Sequence, residues 1–248
     1  MNTPRHEAMI LDLDGVITDT ARLHSRAWKQ ALDDFLKRRA ESEGAAFVPF
    51  DEERDYLAHV DGKPRYDGVR DFLASRRIEL PWGDPSDPPG AETVCGVGNS
   101  KNVLFSEIID RDGVEVFDDA DRQIRRWRGE GLKLGLVTSS RNGARILRAA
   151  GLEEFFDARV DGEDAARLGL PGKPAPDTFL EAARRLGVDP GRAVVFEDAL
   201  SGVEAGRAGG FAVVVGVGRH PEMPPFERHG ADCVVRSLDE FEPLGETG

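Results

Sequence analysis

Four short clusters carry the residues best suited to chemistry. The first is Asp12 and Asp14 in "LDLDGVITDT" (11–20). In an extended segment, residues two apart point to the same side, so these carboxylates would be neighbours. Like charges that close require compensation. The second cluster is "VTSSRNG", with Thr138, Ser140, Arg141 and Asn142. The third is Lys173 in "GKPAPD", and the fourth is Glu197 and Asp198 in "VFEDALSG". Gathered at one place, they would supply four carboxylates, a hydroxyl and an ammonium. An oxygen-rich set of this kind suits Mg²⁺. With a dication and Lys173 nearby, Asp12 can stay ionised and attack phosphorus, since aspartyl phosphates are an established covalent strategy. Asp14 can pass a proton to and from the leaving or attacking oxygen. Thr138 can hydrogen-bond the transferring group while Lys173 holds it as a point charge. Phosphoryl transfer asks for little beyond such positioning and neutralisation.

Each cluster also has a plainer use. Asp12–Gly15 can be a strand-to-turn junction, Thr138–Asn142 and Glu197–Asp198 can start helices, and Lys173 can be a solvated loop charge. Their joint occurrence, each directly after an apolar run, favours the chemical use. The chain has only six lysines against 27 arginines, which makes any lysine a less casual choice.

The elements that must position these residues are legible as apolar runs. Strands are predicted at 8–14, 132–140, 193–198 and 211–218, with weaker candidates at 157–162 and 232–237. Helical patterns alternate with them at 143–151, 177–187 and 199–209. This alternation predicts an α/β fold, a Rossmann-like parallel sheet covered on both faces. Right-handed crossovers would then bring every strand's C-terminal end to one edge, where open sheets bind ligands.

Residues 21–105 differ: they read as a mostly helical insert after the first strand, leaving 1–20 and 106–248 as the core. A helix opens after Thr20, a plausible N-cap, with Leu23, Ala27, Trp28, Ala31, Phe35 and Leu36 at helical spacing. "FDEERDYLAHV" and "YDGVRDFLASRR" also read as helices, and "PWGDPSDPPG" (81–90) as a loop. The last four residues, "GETG", read as a frayed tail.

The chain's 248 residues fit one large domain or a domain with an insert. A net charge of -13 argues against nucleic acid or an anionic membrane as partner, while a small anionic substrate would need locally gathered cations. Cys95 and Cys233 match no metal spacing and suggest free thiols in a reducing compartment. Neither a secretory leader nor a run of ~18 apolar residues is evident, so a cytoplasmic location is expected.

The four motifs, in this order, resemble those of the haloacid dehalogenase superfamily, and the insert lies where that superfamily places a helical cap. "LDLDGVITDTARLHSRAW", with "KPAPD" and "ED", is similar to the β-phosphoglucomutase subfamily. The resemblance implies Asp12 as nucleophile and Asp14 as acid/base. It implies Mg²⁺ held by Asp12, the Asp14 carbonyl and Asp198, with Glu197 as a further ligand or directly behind the ligands. Thr138, Ser140, Arg141, Asn142 and Lys173 would bind phosphate, and Thr20 and His24 would help place Asp14 and the cap. "VDGKPRYDGV" resembles the subfamily's specificity loop and "GNSKN" its later cap lysine segment, which point to Arg65 and Lys101 for a distal phosphate, with Lys63 a further candidate. A closing cap would also exclude water. Thr138 and Arg141 stand where the subfamily commonly has Ser and Lys, and the cap has extra loops around 40–50 and 81–95. The implied activity is interconversion of β-D-glucose 1-phosphate and glucose 6-phosphate through the 1,6-bisphosphate. The alternatives are a sugar-phosphate phosphatase with the same core and, more remotely, a non-catalytic phosphosugar-binding module. A capped chain of this size is compatible with a monomer.

Overall fold

The computed structural model describes residues 6–60, 63–220 and 223–242. The tail expected to fray, and Asp61 and Gly62 of the expected specificity loop, lie outside the described residues. The chain divides into two compact units, residues 1–20 with 114–248 and residues 21–113.

The first unit is built on six parallel strands: β1 (Ala8–Leu11), β2 (Lys133–Val137), β3 (Ala158–Val160), β4 (Ala193–Glu197), β5 (Val213–Val217) and β6 (Cys233–Val235). Their order across the sheet is β3-β2-β1-β4-β5-β6. Every residue of β1 and β4 is buried, which is why these strands read as continuous apolar runs rather than alternating ones. Leu11 is in register with Leu136 on one side and Phe196 on the other, so β1, β2 and β4 end level. On one face Ile10, Val137 and Val195 pack with Phe179, Leu186, Val203 and Phe211. Trp127 and Phe196 lie 5.1 Å apart, and Phe241 closes edge-on against Phe196 at 5.0 Å.

The second unit is helical. The helix α1 (Ala21–Glu43), α2 (Arg65–Ser75) and α3 (Val94–Asp112) enclose their own core of Trp28, Leu32, Phe35, Phe50, Phe72, Val94 and Val97. The unit runs to Gly113, not 105, because α3 continues unbroken to Asp112. Thr93 caps α3, its hydroxyl oxygen accepting from Gly96 N at 2.9 Å. Composition hid α3: Gly96 and Gly98 are poor helix formers, yet a methyl at Gly98 would lie 2.8 Å from the Tyr66 ring. "FDEERDYLAHV" is helical only in its second part, over 54–60, which ends in the π turn Tyr56–Val60. The Asp51 carboxylate accepts from Glu53 N and Arg54 N at 3.1 and 2.7 Å, which caps the turn from which this helical stretch starts.

The helix α4 (Asp118–Gly129) went unsignalled because its sequence is mostly charged; only Asp119, Ala120, Gln123, Ile124 and Trp127 are buried. Acids fill its first turn and arginines its last, as the helix dipole favours. The remaining helices are α5 (Gly143–Ala149), α6 (Gly162–Leu168), α7 (Asp177–Leu186) and α8 (Leu200–Ala208). Cys95 is buried, Cys233 is partly buried, and both are free thiols. Among the described residues, no helix is long and apolar enough to cross a membrane.

Candidate active site

Three level strand ends deliver the polar residues. Asp12 follows β1, Thr138 follows β2, and Glu197 and Asp198 close β4. Asp12 N donates to Phe196 O at 3.0 Å and Thr138 N to Val160 O at 3.0 Å, so the ladder continues through both residues. Lys173 arrives on the loop before α7, and the Lys173–Pro174 peptide is cis.

Lys173 is the hub. Its ammonium donates to Asp12 Oδ1 at 2.5 Å and to Glu197 Oε1, and it lies 5.0 Å above the Phe179 ring. All three side chains are below a tenth exposed. Burial pushes the Asp12 carboxyl up to about 8, with Glu197 and Asp14 adding and Lys173 opposing. Burial alone would lower the Lys173 pKa, but Asp12 and Glu197 outweigh it and hold the ammonium above its ordinary value. The second Glu197 oxygen accepts from Ala199 N at 2.9 Å.

Asp14 is turned differently. Thr20 Oγ1 donates to Asp14 Oδ1, and Thr138 Oγ1 donates to Asp14 Oδ2 at 3.5 Å. The hydroxyl expected to cap α1 thus gives its hydrogen to Asp14. Two hydroxyls aim one carboxylate while a buried lysine grips the other, which divides the roles of two acids placed two residues apart. Thr138 also accepts from Ser140 N at 3.1 Å, and Ser140 Oγ accepts from Asn142 N at 3.1 Å. These bonds wind the chain tightly from β2 into α5. Arg141 is exposed, and Ser140 and Asn142 are half-buried.

Two glycines make room for the acids. Gly15 has φ +81°, and a methyl there would lie 1.9 Å from Asp198 Oδ2. A methyl at Gly202 would lie 1.8 Å from Glu197 Oε1. Both carboxylates therefore occupy space that any side chain would fill.

The residues expected to hold a metal differ in the partners they already have. Among the described residues, no group of three or more His, Cys, Asp and Glu side chains forms a ready cage. Glu197 is taken by Lys173 and Ala199 N, and the Asp14 side chain by Thr20 and Thr138. Asp12, Asp198 and the Asp14 carbonyl still fit a hard cation. The donors are all oxygen, Asp198 leans into the hollow at Gly15, and burial with the Glu197 and Asp12 charges pushes its carboxyl well up. Such crowding of acids around one ammonium is what a dication relieves.

In the helical unit, Lys101 is buried and its ammonium lies 2.7 Å from His24 Nδ1. It also sits 4.4 Å over Phe105 and 5.3 Å over Trp28, while His24 stacks on Phe105 at 4.1 Å. Burial, then the Lys101 and Arg65 charges, hold the His24 pKa well below its usual value. The ring is neutral, so Lys101 donates to Nδ1. Arg65 opens α2 and donates from Nη2 to Asn102 Oδ1 at 2.7 Å. Lys63, the further candidate, is paired with Asp71 at 2.9 Å.

The sequence reading passed over Arg219 and Asp119, which meet at 3.0 Å beside the Asp14 loop. One signal was available: Arg219 lies two residues past the end of β5, close to a strand end as Asp12 is.

Residues 6–210 match the family described as haloacid dehalogenase-like hydrolase. The chain is 52% identical over 94% of its length, and 90% of the other's, to a protein of Mycobacterium bovis named Beta-phosphoglucomutase. It is 30% identical over 85% of its length, and 96% of the other's, to the Fructose-1-phosphate phosphatase YqaB of Escherichia coli. A crystal structure of CbbY from Rhodobacter sphaeroides in complex with phosphate superposes with a TM-score of 0.67 at 25% identity, covering 95% of this chain and 96% of that one. Motifs, parallel sheet and relatives agree, and the chain belongs to the haloacid dehalogenase-like hydrolase family.

Proposed function

We propose that this protein is a Mg²⁺-dependent sugar-phosphate mutase interconverting β-D-glucose 1-phosphate and glucose 6-phosphate through the 1,6-bisphosphate. The observation that supports it most is the division of labour between Asp12, paired with buried Lys173, and Asp14, aimed by Thr20 and Thr138. The Mycobacterium bovis relative's name supports the sugar.

An Asp12 oxygen attacks phosphorus at one end of the bisphosphate, and the P–O bond to the sugar breaks. Protonated Asp14 gives its proton to the departing sugar oxygen. When the group comes from the 1-position, glucose 6-phosphate leaves and a β-glucose 1-phosphate presents its free 6-hydroxyl; Asp14 takes that proton, the Asp12–phosphorus bond breaks, and the phosphoryl group passes to the new oxygen, regenerating the bisphosphate. Lys173 balances charge on Asp12 throughout, and Thr138, Ser140, Arg141 and Asn142 hold the phosphoryl oxygens. Asp12, Asp198 and the Asp14 carbonyl would hold Mg²⁺, which when bound neutralises charge on the transferring group. Arg65, Lys101 and His24 serve the distal phosphate.

A second reading, a sugar-phosphate phosphatase with water as acceptor, is favoured by the likeness to the Escherichia coli phosphatase. Phosphorus NMR of the protein with Mg²⁺, β-glucose 1-phosphate and a trace of the bisphosphate separates the two. Glucose 6-phosphate without free phosphate is the expected result; inorganic phosphate alone would establish the second reading. Asp12→Asn is expected to cut turnover by about 10³-fold or more, the scale seen when a covalent nucleophile is removed.

A further inference from the structure

The guanidinium of Arg219 joins two separate segments through three partners. Nε donates to Gly15 O at 3.0 Å, Nη2 to Val16 O at 2.7 Å, and Nη1 to both oxygens of Asp119 at 3.0 and 3.1 Å. Its flat face lies 3.8 Å from the Phe117 ring centre. The group is mostly buried, with the Arg219 side chain 14% and the Asp119 side chain 9% exposed. Asp119 is itself fixed: Leu238 N donates to it at 2.6 Å and Ser237 Oγ at 3.0 Å. Burial works against the Asp119 charge, but the Arg219 and Leu238 hydrogen bonds outweigh it and hold the carboxyl below its usual range.

The two carbonyls that Arg219 holds belong to the residues directly after Asp14. Their stretch is a tight turn, closed by Gly15 N to Thr18 O at 2.8 Å and Ile17 N to Leu13 O at 2.9 Å. The strand end fixes the turn on its Asp12 side. Gly15 N is held within the turn, whereas the Gly15 and Val16 carbonyls are held by Arg219. Arg219 supplies that constraint from outside, anchored in turn by α4 and the segment after β6.

We infer that Arg219 is a positioning residue for the reaction, holding the Asp12–Val16 turn so that Asp12 and Asp14 keep their aim. The inference rests on the reading of Asp12 and Asp14 as the reacting pair. Lysine cannot replace arginine here, because a single ammonium lacks the flat fork that serves three acceptors at once. A misplacement of about 1 Å at a reacting pair costs on the order of 10²-fold in rate.

The test uses the full chain with Arg219→Lys and Arg219→Ala, followed by melting temperature and steady-state turnover of β-glucose 1-phosphate. Both variants are expected to lose about 10- to 100-fold in kcat with KM moving less than about threefold, since aim rather than binding is lost. Added guanidinium ion at tens of millimolar is expected to restore much of the Arg219→Ala loss, which a general loosening of the fold would not allow. If Arg219→Ala does not fold, Arg219→Lys carries the kinetic comparison, and Asp119→Asn, which leaves Arg219 present but unanchored, should show the same kcat-only loss in weaker form. A kcat within twofold of the parent in a folded Arg219 variant overturns the inference while leaving the Asp12 reading intact. Full turnover in Asp12→Asn removes that reading and the inference with it.

Discussion

At the scale of single residues, the centre is an ammonium shared by two buried acids. Lys173, Asp12 and Glu197 are so thoroughly withdrawn from water that removing the cation leaves two uncompensated charges. Lys173→Met is therefore expected to destabilise the protein by about 3–5 kcal/mol, the usual cost of breaking a buried pair from one side. Urea titration of both forms at pH 7 measures this. Asp12 and Glu197 were readable in the sequence because one follows and the other closes an apolar strand run, so strand register brings them together, while Lys173 reaches them from the loop before α7. Glu197 was read as a further metal ligand or as lying directly behind the ligands, and its carboxylate accepts from Lys173. Residue type and place were legible, but the choice of partner depends on a loop that arrives 24 residues earlier in the chain. Arg219 and Asp119 lie 100 residues apart, and no local pattern announces such a pairing.

At the scale of elements, the contact of α1 with α3 contains a titration switch. His24 on α1 is neutral because it is buried and faces Lys101 and Arg65. Its folded pKa lies below the unfolded value of about 6.5, so its contribution is fully present above that pH. Stability is lost as pH falls from there through the folded value. Thermal unfolding between pH 7.5 and 5 should show this decline, and His24→Phe, which keeps the stacking on Phe105, should flatten it. Strands were the more legible elements, since their apolar runs are short and bounded. The helices α3 and α4 escaped notice for opposite reasons: one carries glycines that close packing demands, the other mostly charge. The segment before α2 was read as helix throughout, and Asp51 takes the capping position, so the helical stretch begins only after it.

At the scale of the whole molecule, two compact units have two separate hydrophobic cores, one on the sheet and one among α1, α2 and α3. Chains of this kind commonly depart from two-state unfolding. Calorimetry is expected to resolve two transitions, or one whose calorimetric enthalpy exceeds its van't Hoff enthalpy. Thr93→Ala, which removes the α3 cap and costs ~1 kcal/mol, should lower the transition of the helical unit alone. The arrangement also says where the sequence can drift. Much of the charged surface can be rewritten at little cost. Positions 15 and 202 are different, because there the missing methyl group is where the Asp198 and Glu197 carboxylates sit. In evolutionary terms these glycines are holes that two acids inherit. A lineage could exchange its acids only after abandoning the chemistry, and it could fill the holes only after losing the acids. The emptiest side chains in the protein are thus among its least negotiable letters.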